Sequence, residues 1–391
     1  MTQNGQRPAQ QGSRPQGTSQ SRKNGPFKPV ITVAVIATAV LLILAILAGT
    51  VAVAVAGISY LVYRSNTEQS DDSGSGGGNK PSKPSSKDEN SKDIVDSSLN
   101  LPSKTASGSY LSTGSPSKTI GTDISSAAAV LVDLSANQVI AGKQADERIY
   151  PASMTKVMTL LVACENATEG GRLLTVEQEM IKYAQDLGAS GNLGFMAGDK
   201  ISVEDALYLI NYRSDTISCL MIAKHIAGSE AAFVELMNEK AVALGLTGTH
   251  FVNTTGLHDA NHYTTCREMA AIMSCAMNNP VAKKILTAYS GRAISIYDAN
   301  YVKYRNPMVY SGWYSDRLGD NSKVSGSDIK ITGGKTGYED IPTSCFVTVA
   351  QDTKTQKQYI CVVVGRTNEG QTSVTTSQST TDTRNIYKSY T

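Results

Sequence analysis

The chain of 391 residues is long enough for one or two domains of ordinary size with additional segments. With 36 Lys and Arg against 34 Asp and Glu, its formal charge of +2 excludes a polybasic nucleic-acid binder as a description of the whole molecule, so no nucleic-acid partner is expected. The balance is uneven. Arg7, Arg14, Arg22, Lys23 and Lys28 face no acid within the first 30 residues, which puts +5 there and leaves −3 for the remainder.

From Val30 to Tyr63 run 34 residues without one charge, where spanning a bilayer core takes about 20. One transmembrane helix is expected over 30–63. The basic tail 1–29 precedes it and the flank after it is mixed, with Arg64 followed by Glu68, Asp71 and Asp72, so the N-terminus is expected in the cytoplasm and all that follows outside the cell membrane. A cleaved signal peptide competes, because Ala52, Ala54 and Ala56 are small residues at alternating positions, although a signal core usually measures only about 7 to 15 residues. Residues 64–121 are built from Ser, Gly, Lys, Pro, Asp and Asn, with too few large apolar side chains to offset the entropy of ordering them. They read as a disordered linker whose root-mean-square span is on the order of 40 Å.

From 122 to 391 the composition is globular. Ala127 to Leu134 and Gln138 to Gly142 predict two strands joined by a turn at Ser135 to Asn137, and Ser344 to Ala350 with Tyr359 to Gly365 predict a second hairpin. Between them lie helical patterns over Pro151 to Ala163, Val203 to Tyr212 and Ser229 to Leu244, the last opening on a Ser cap. Strands at both ends with helices between predict an α/β domain whose antiparallel sheet is formed from both ends of the domain. Thr381 to Tyr390 predict a closing helix on that sheet. The six cysteines are an even number, which permits disulfides in an exported domain. Five of them sit among apolar neighbours, as in LLVAC and ICVVV, which favours buried free thiols. No pair has zinc-ligand spacing.

Two short motifs carry chemistry. Ser153-Met154-Thr155-Lys156 follows Pro151, and if Pro151 marks a helix start, Lys156 projects from the face that carries Ser153. The plain alternative is that Ser153 caps the helix, but a cap is helped by Glu or Gln three residues on, and here a cation stands against the positive end of the dipole. Such a Lys, screened from water, favours its neutral amine, which takes a proton from Ser153. Lys335-Thr336-Gly337 follows the alternating segment Asp328 to Thr332 and the pair Gly333-Gly334. Glycines around the Lys let a peptide backbone approach an edge strand, with Lys335 and Thr336 ready for a terminal carboxylate. The plain alternative is a Gly-rich turn carrying a solvated Lys.

Taken together, in this order and about 180 residues apart, the two motifs resemble the penicillin-recognising serine acyltransferases. Within that group the chain is most similar to the low-molecular-weight penicillin-binding proteins that are D-alanyl-D-alanine carboxypeptidases, with a β-lactamase/transpeptidase-like domain. VLVDLSANQVIAGKQADERIYPASMTKVMT, HIAGSEAAFVELMNEKAVALGLTGTHFVNTTGLHDANHYTT and ITGGKTGYED carry the likeness over most of 124–365. The resemblance implies Ser153 as acylated nucleophile and Lys156 as its base. It implies Lys335 and Thr336 as the grip on the carboxylate of a terminal D-alanine or a β-lactam, and the backbone N–H groups of Ser153 and Tyr338, after Gly337, as oxyanion hole. The implied substrates are peptidoglycan stem peptides, with β-lactams as inhibitors and no cofactor. The middle motif departs from the pattern: Ser214-Asp215-Thr216 stands where Ser-x-Asn is expected, so Ser214 is kept for relaying a proton while a hydroxyl replaces an amide at Thr216.

Other readings stay open. His258, Asp259 and His262 have the spacing of a metal pair, but Gly256 and Asn261 suggest a loop and no Glu base accompanies them, so structural use and no metal are expected. A β-lactamase shares the acylation apparatus, yet its class A form needs a Glu-x-x-Leu-Asn segment that this sequence lacks. A D,D-transpeptidase or endopeptidase of the same fold, and a non-catalytic penicillin-binding sensor, are the remaining alternatives, the last motivated by Thr216. About 25 residues follow the last predicted strand, too few for the β-rich second domain and C-terminal anchor of many relatives, so anchoring is expected at 30–63. No nucleotide or calcium-loop motif occurs, and the Asn-x-Thr triplets at Asn166 and Asn253 carry no inference.

Overall fold

The structure, a computed structural model, describes residues 93–105, 114–188, 193–314, 318–339, 343–365 and 374–391. The hydrophobic segment 30–63 and the first part of the expected linker lie outside them. Among the described residues no single helix is long and apolar enough to cross a membrane.

The domain opens inside the expected linker 64–121, with a two-residue strand β1 (Lys118–Thr119), and continues with a hairpin of β2 (Ala128–Asp133) and β3 (Gln138–Lys143). A 3-10 turn (Ala152–Thr155) leads into α1 (Lys156–Asn166). Then come α2 (Gln178–Asp186), α3 (Val203–Tyr212), α4 (Thr216–Ala227), α5 (Glu230–Ala243), α6 (Cys266–Met277) and α7 (Pro280–Leu286). Strands β4 (Ile329–Glu339), β5 (Thr343–Asp352) and β6 (Gln358–Val364) and helix α8 (Thr376–Tyr390) close the fold. The main sheet has the order β1-β3-β2-β6-β5-β4, so the hairpins from the two ends meet where β2 pairs with β6. Its pairings are antiparallel, as expected, except that β1 runs parallel to β3.

Both faces of the sheet are covered, which explains why β2 and β6 read as unbroken apolar runs. Val130, Val132, Ile360 and Val362 face the helical region, while Leu131, Cys361 and Val363 alternate to the other side against Ile386 and Tyr387 of α8. All six cysteines are buried free thiols. Local chemistry sets the helix boundaries. Ser202 and Ser229 accept hydrogen bonds from Asp205 N and Ala232 N at the starts of α3 and α5, and Gly228 ends α4 with φ +79°. Helix α8 begins five residues before the expected start because Thr375 and Gln378 form a reciprocal capping box.

One expectation is corrected. Residues 93–105, counted within a disordered linker, pack on the domain: Leu99 is buried, Val95 N–H donates to Gly171 O at 2.9 Å, and Ser103 N–H donates to Cys164 O at 2.7 Å. Ser97 Oγ, Ser98 N and Ser98 Oγ all donate to the Glu204 carboxylate at 2.6–2.7 Å. The average composition of 64–121 concealed a short stretch that buries Leu99, packs Leu101 against the core and is held by hydrogen bonds to Glu204, Gly171 and Cys164.

Candidate active site

The segment expected as one helix from Pro151 starts instead as the tight turn Ala152–Thr155, with Lys156 opening α1. Ala152 has φ +47°, a conformation an L-residue adopts only under constraint, and it immediately precedes Ser153. Two glycines permit the crowding around it. A Cβ on Gly256, itself at φ +82°, would lie 1.8 Å from Ala152 O, and a Cβ on Gly337 would lie 3.3 Å from Ser153 N. The turn is thus clamped between the 253–257 loop and β4.

Lys156 Nζ lies 3.1 Å from Ser153 Oγ and donates to Thr255 O at 2.7 Å. Lys156 is 2% exposed, and among the described residues no carboxylate forms an ion pair with it. Burial pulls its pKa below the ordinary lysine value, partly offset by the negative charges of Asp215, Glu339 and Glu230. In its neutral form, an amine that gives one N–H to a carbonyl and stands 3.1 Å from a hydroxyl can accept the serine proton.

The second cation is placed by the strand. Ile331 pairs with Ala350 but Gly333 pairs with Val349, so residue 332 is an extra residue that inverts the alternation of β4. Ile331 therefore faces α8 while Lys335, opposite Val347, faces the helical region. There Lys335 Nζ meets Ser214 Oγ at 3.1 Å and donates to Thr336 O at 2.7 Å, with Lys335 1% exposed. Ser214 lies between α3 and α4 in a left-handed conformation, φ +54°. The structure thus couples Ser153 with Lys156 and Ser214 with Lys335, from segments far apart in the chain. Thr336, half-buried, is opposite Phe346 on the alternate pleat from Lys335, and Tyr338 is 64% exposed at the strand's end. Thr216 is buried as the first residue of α4.

Sequence reasoning missed the floor of the site. Asn253 Oδ1 accepts from Thr255 N, Thr255 Oγ1 and Gly256 N, folding the loop that delivers Thr255 O to Lys156. The short run Asn-Thr-Thr-Gly was the available signal, an Asx turn closed by a glycine. His262 is no metal ligand in this arrangement. Its Nδ1 accepts from Val252 N–H at 3.2 Å, so the proton is on Nε2, which donates to Thr155 Oγ1 at 2.7 Å. Burial pushes its pKa down to about 3. His258 packs edge-on against Tyr150, ring centroids 4.7 Å apart. Among the described residues no cluster of His, Cys, Asp and Glu is suited to hold a metal ion.

The fold matches solved structures of known enzymes. The Streptomyces K15 DD-transpeptidase superimposes with a TM-score of 0.59 at 22% identity, covering 68% of this chain and 96% of that one. Penicillin binding protein 5 from Haemophilus influenzae superimposes with a TM-score of 0.56 at 21% identity, covering 69% and 71%. In sequence, the D-alanyl-D-alanine carboxypeptidase DacF of Bacillus subtilis is 30% identical over 247 residues, and the chain spans only 56% of that relative's length. DacA of Escherichia coli is 30% identical over 250 residues, again across 56% of its length. A sequence model of the D-alanyl-D-alanine carboxypeptidase family matches residues 113–368, which include every residue of the two coupled pairs, and the chain accordingly belongs to that family.

Proposed function

We propose that this protein is a serine-type D-alanyl-D-alanine carboxypeptidase that removes the terminal D-alanine from peptidoglycan stem pentapeptides. The observation that carries the reading is the buried Lys156 amine 3.1 Å from Ser153 Oγ, with Lys335 and Ser214 paired beside it. Lys156 takes the hydroxyl proton as Ser153 Oγ bonds to the carbonyl carbon of the penultimate D-alanine. The carbonyl oxygen becomes an oxyanion, held by the backbone N–H groups of Ser153 and Tyr338. Collapse breaks the peptide bond, and the leaving amine takes its proton by way of Ser214. Water then adds to the acyl-enzyme, releasing the shortened peptide and restoring Ser153. Lys335 with Thr336 and Gly337 grips the substrate carboxylate, and Thr216 offers a hydroxyl to the peptide where relatives of the resembled group use an amide. A β-lactam enters the same path and stays as a persistent acyl adduct.

The domain works outside the cell, held by 30–63 as a single-pass anchor with a cytoplasmic N-terminus. The uncharged run and the basic tail before it support this. The test is labelling with fluorescent penicillin together with D-alanine release from a pentapeptide. The parent labels at Ser153 and releases D-alanine, and Ser153→Ala does neither. Labelling of Ser153→Ala as strong as the parent's would refute the assignment.

A further inference from the structure

Asp215 is the middle residue of Ser214-Asp215-Thr216, and the acylation chemistry above makes no use of it. Its side chain is 0% exposed. Oδ1 accepts from Ser218 N–H at 2.6 Å, capping α4, the Ser218 hydroxyl stands beside the carboxylate, and Oδ2 is buried without a hydrogen bond of good geometry. A cap needs one oxygen, and Asn or Ser supplies it as well as Asp does. A neutral cap would also avoid burying a carboxylate that no cation is bonded to. Capping therefore does not account for the acid; its charge remains to be explained.

Lys156 of α1, the adjoining Arg213 and Cys219 of its own helix act on Asp215, while Lys156 also feels Glu230 of α5 and Glu339 of β4, and Lys335 of β4 acts on Cys219. Arg213 is exposed and screened by solvent, Glu230 receives the hydrogen bonds of Thr254, and Lys335 is tied to Ser214 and Thr336. Lys156 is the buried group whose charge changes during catalysis.

We propose that Asp215 is a positioning residue for acylation, its carboxylate the buried counter-charge for the ammonium that forms on Lys156 when Ser153 attacks. The inference rests on the carboxypeptidase reading. In the attack the proton passes from Ser153 Oγ to Lys156 Nζ while the Oγ–carbon bond forms, so a neutral amine becomes a cation where water is scarce. A fixed anion nearby stabilises that cation more than it stabilises the amine, which is differential stabilisation of the transition state. The same anion raises the proton affinity of Lys156, and burial lifts the Asp215 carboxyl itself to about 6, so the two groups titrate as a coupled pair.

Asp215→Asn keeps the capping oxygen and the shape and deletes the charge. Penicillin acylation rates from about pH 5 to about pH 9, with a thermal melt of each protein, read the effect. Asp215→Asn is expected to melt close to the parent, to acylate about tenfold more slowly at its plateau, and to show an acid limb displaced downward by roughly one pH unit. A plateau and an acid limb both equal to the parent's overturn the proposal and leave Asp215 a helix cap. Should Asp215→Asn not fold, Asp215→Ser retains a capping hydroxyl and is read in the same way. A parent that is not acylated at Ser153 overturns the carboxypeptidase reading and this inference with it; an acylated parent with an indifferent Asp215→Asn overturns the inference alone.

Discussion

His262 acts on the turn that carries Ser153 at the scale of a single residue. Its imidazole bridges Val252 N–H and Thr155 Oγ1, so it holds the 3-10 turn to the loop that carries Thr255. It does so only while neutral. The unfolded chain titrates near the ordinary 6.5 and the folded protein near 3, so between these values the unfolded state binds a proton that the folded state refuses. Stability from this group therefore falls as pH drops below 6.5, by up to about 1.4 kcal/mol per pH unit. Asp215 runs the other way between 6 and 3.8, because its folded pKa is raised and the folded state there binds more protons. Comparison with His262→Asn separates the two. At about pH 7.5 this variant should be less stable by about 1 to 3 kcal/mol, and the gap should close by about pH 4.5, as read from urea melts. A constant gap would mean that the imidazole is not held neutral. Nothing near His262 in sequence announces this role, since Thr155 lies 107 positions away. Ser153 and Lys156 were legible because one turn of chain sets their spacing, whereas their supporting residues are joined only by tertiary packing.

At the scale of elements, β4 is an edge strand that lies against the turn carrying Ser153. The sequence DIKIT announces the strand, but its glycines predict the approach of a peptide and not of the Ser153 turn, and the extra residue at 332 was not legible, because a bulge leaves no mark on a period-two pattern this short. Without that inversion Lys335 would share the face of Ile331 and miss Ser214. Gly337 is the point of contact. A Cβ there would stand 3.2 Å from Ala152 Cβ, 3.2 Å from Pro151 O and 3.3 Å from Ser153 N, so Gly337→Ala must push strand and turn apart by a few tenths of an ångström. Acylation depends steeply on such placement, and we expect the second-order rate of penicillin acylation to fall about tenfold or more, with a smaller effect on the melting temperature. Equal acylation rates for Gly337→Ala and the parent would contradict this account of the strand's position.

For the molecule as a whole, both ends of the domain close on the same structure. The C-terminal helix α8 returns to the segment that leads into β2, where Asp382 accepts from Ser125 N, Ser126 N and Ser126 Oγ. That closure was anticipated from the two hairpins. The strap 93–105 was not, because its few apolar residues are spread through a Ser-rich segment and its anchor points are distant. Gly170 and Gly171 receive it: a Cβ on Gly171 would stand 1.7 Å from Val95 O, and one on Gly170 would stand 2.3 Å from Ser97 Oγ. Glu204 is the other anchor. Burial raises its pKa, but the hydrogen bonds from Ser98 and Ser97 and the charge of Arg292 outweigh that and hold it below the usual range. An otherwise folded protein beginning at residue 106 would lose those bonds, those of Ser103 to Cys164 and Asn279, and the burial of Leu99. At about 1 kcal/mol for each well-made bond and about 1.5 kcal/mol or more for the leucine, offset by the entropy of the freed segment, a net loss of about 2 to 4 kcal/mol is expected. The strap does not supply Ser153, Lys156, Ser214 or Lys335, so penicillin acylation well below the melting point should match that of a protein beginning at residue 93. Urea melts and acylation rates of the two proteins decide the matter: equal stability would return 93–105 to the linker, and a collapse of acylation at full folding would extend the strap's influence to the site.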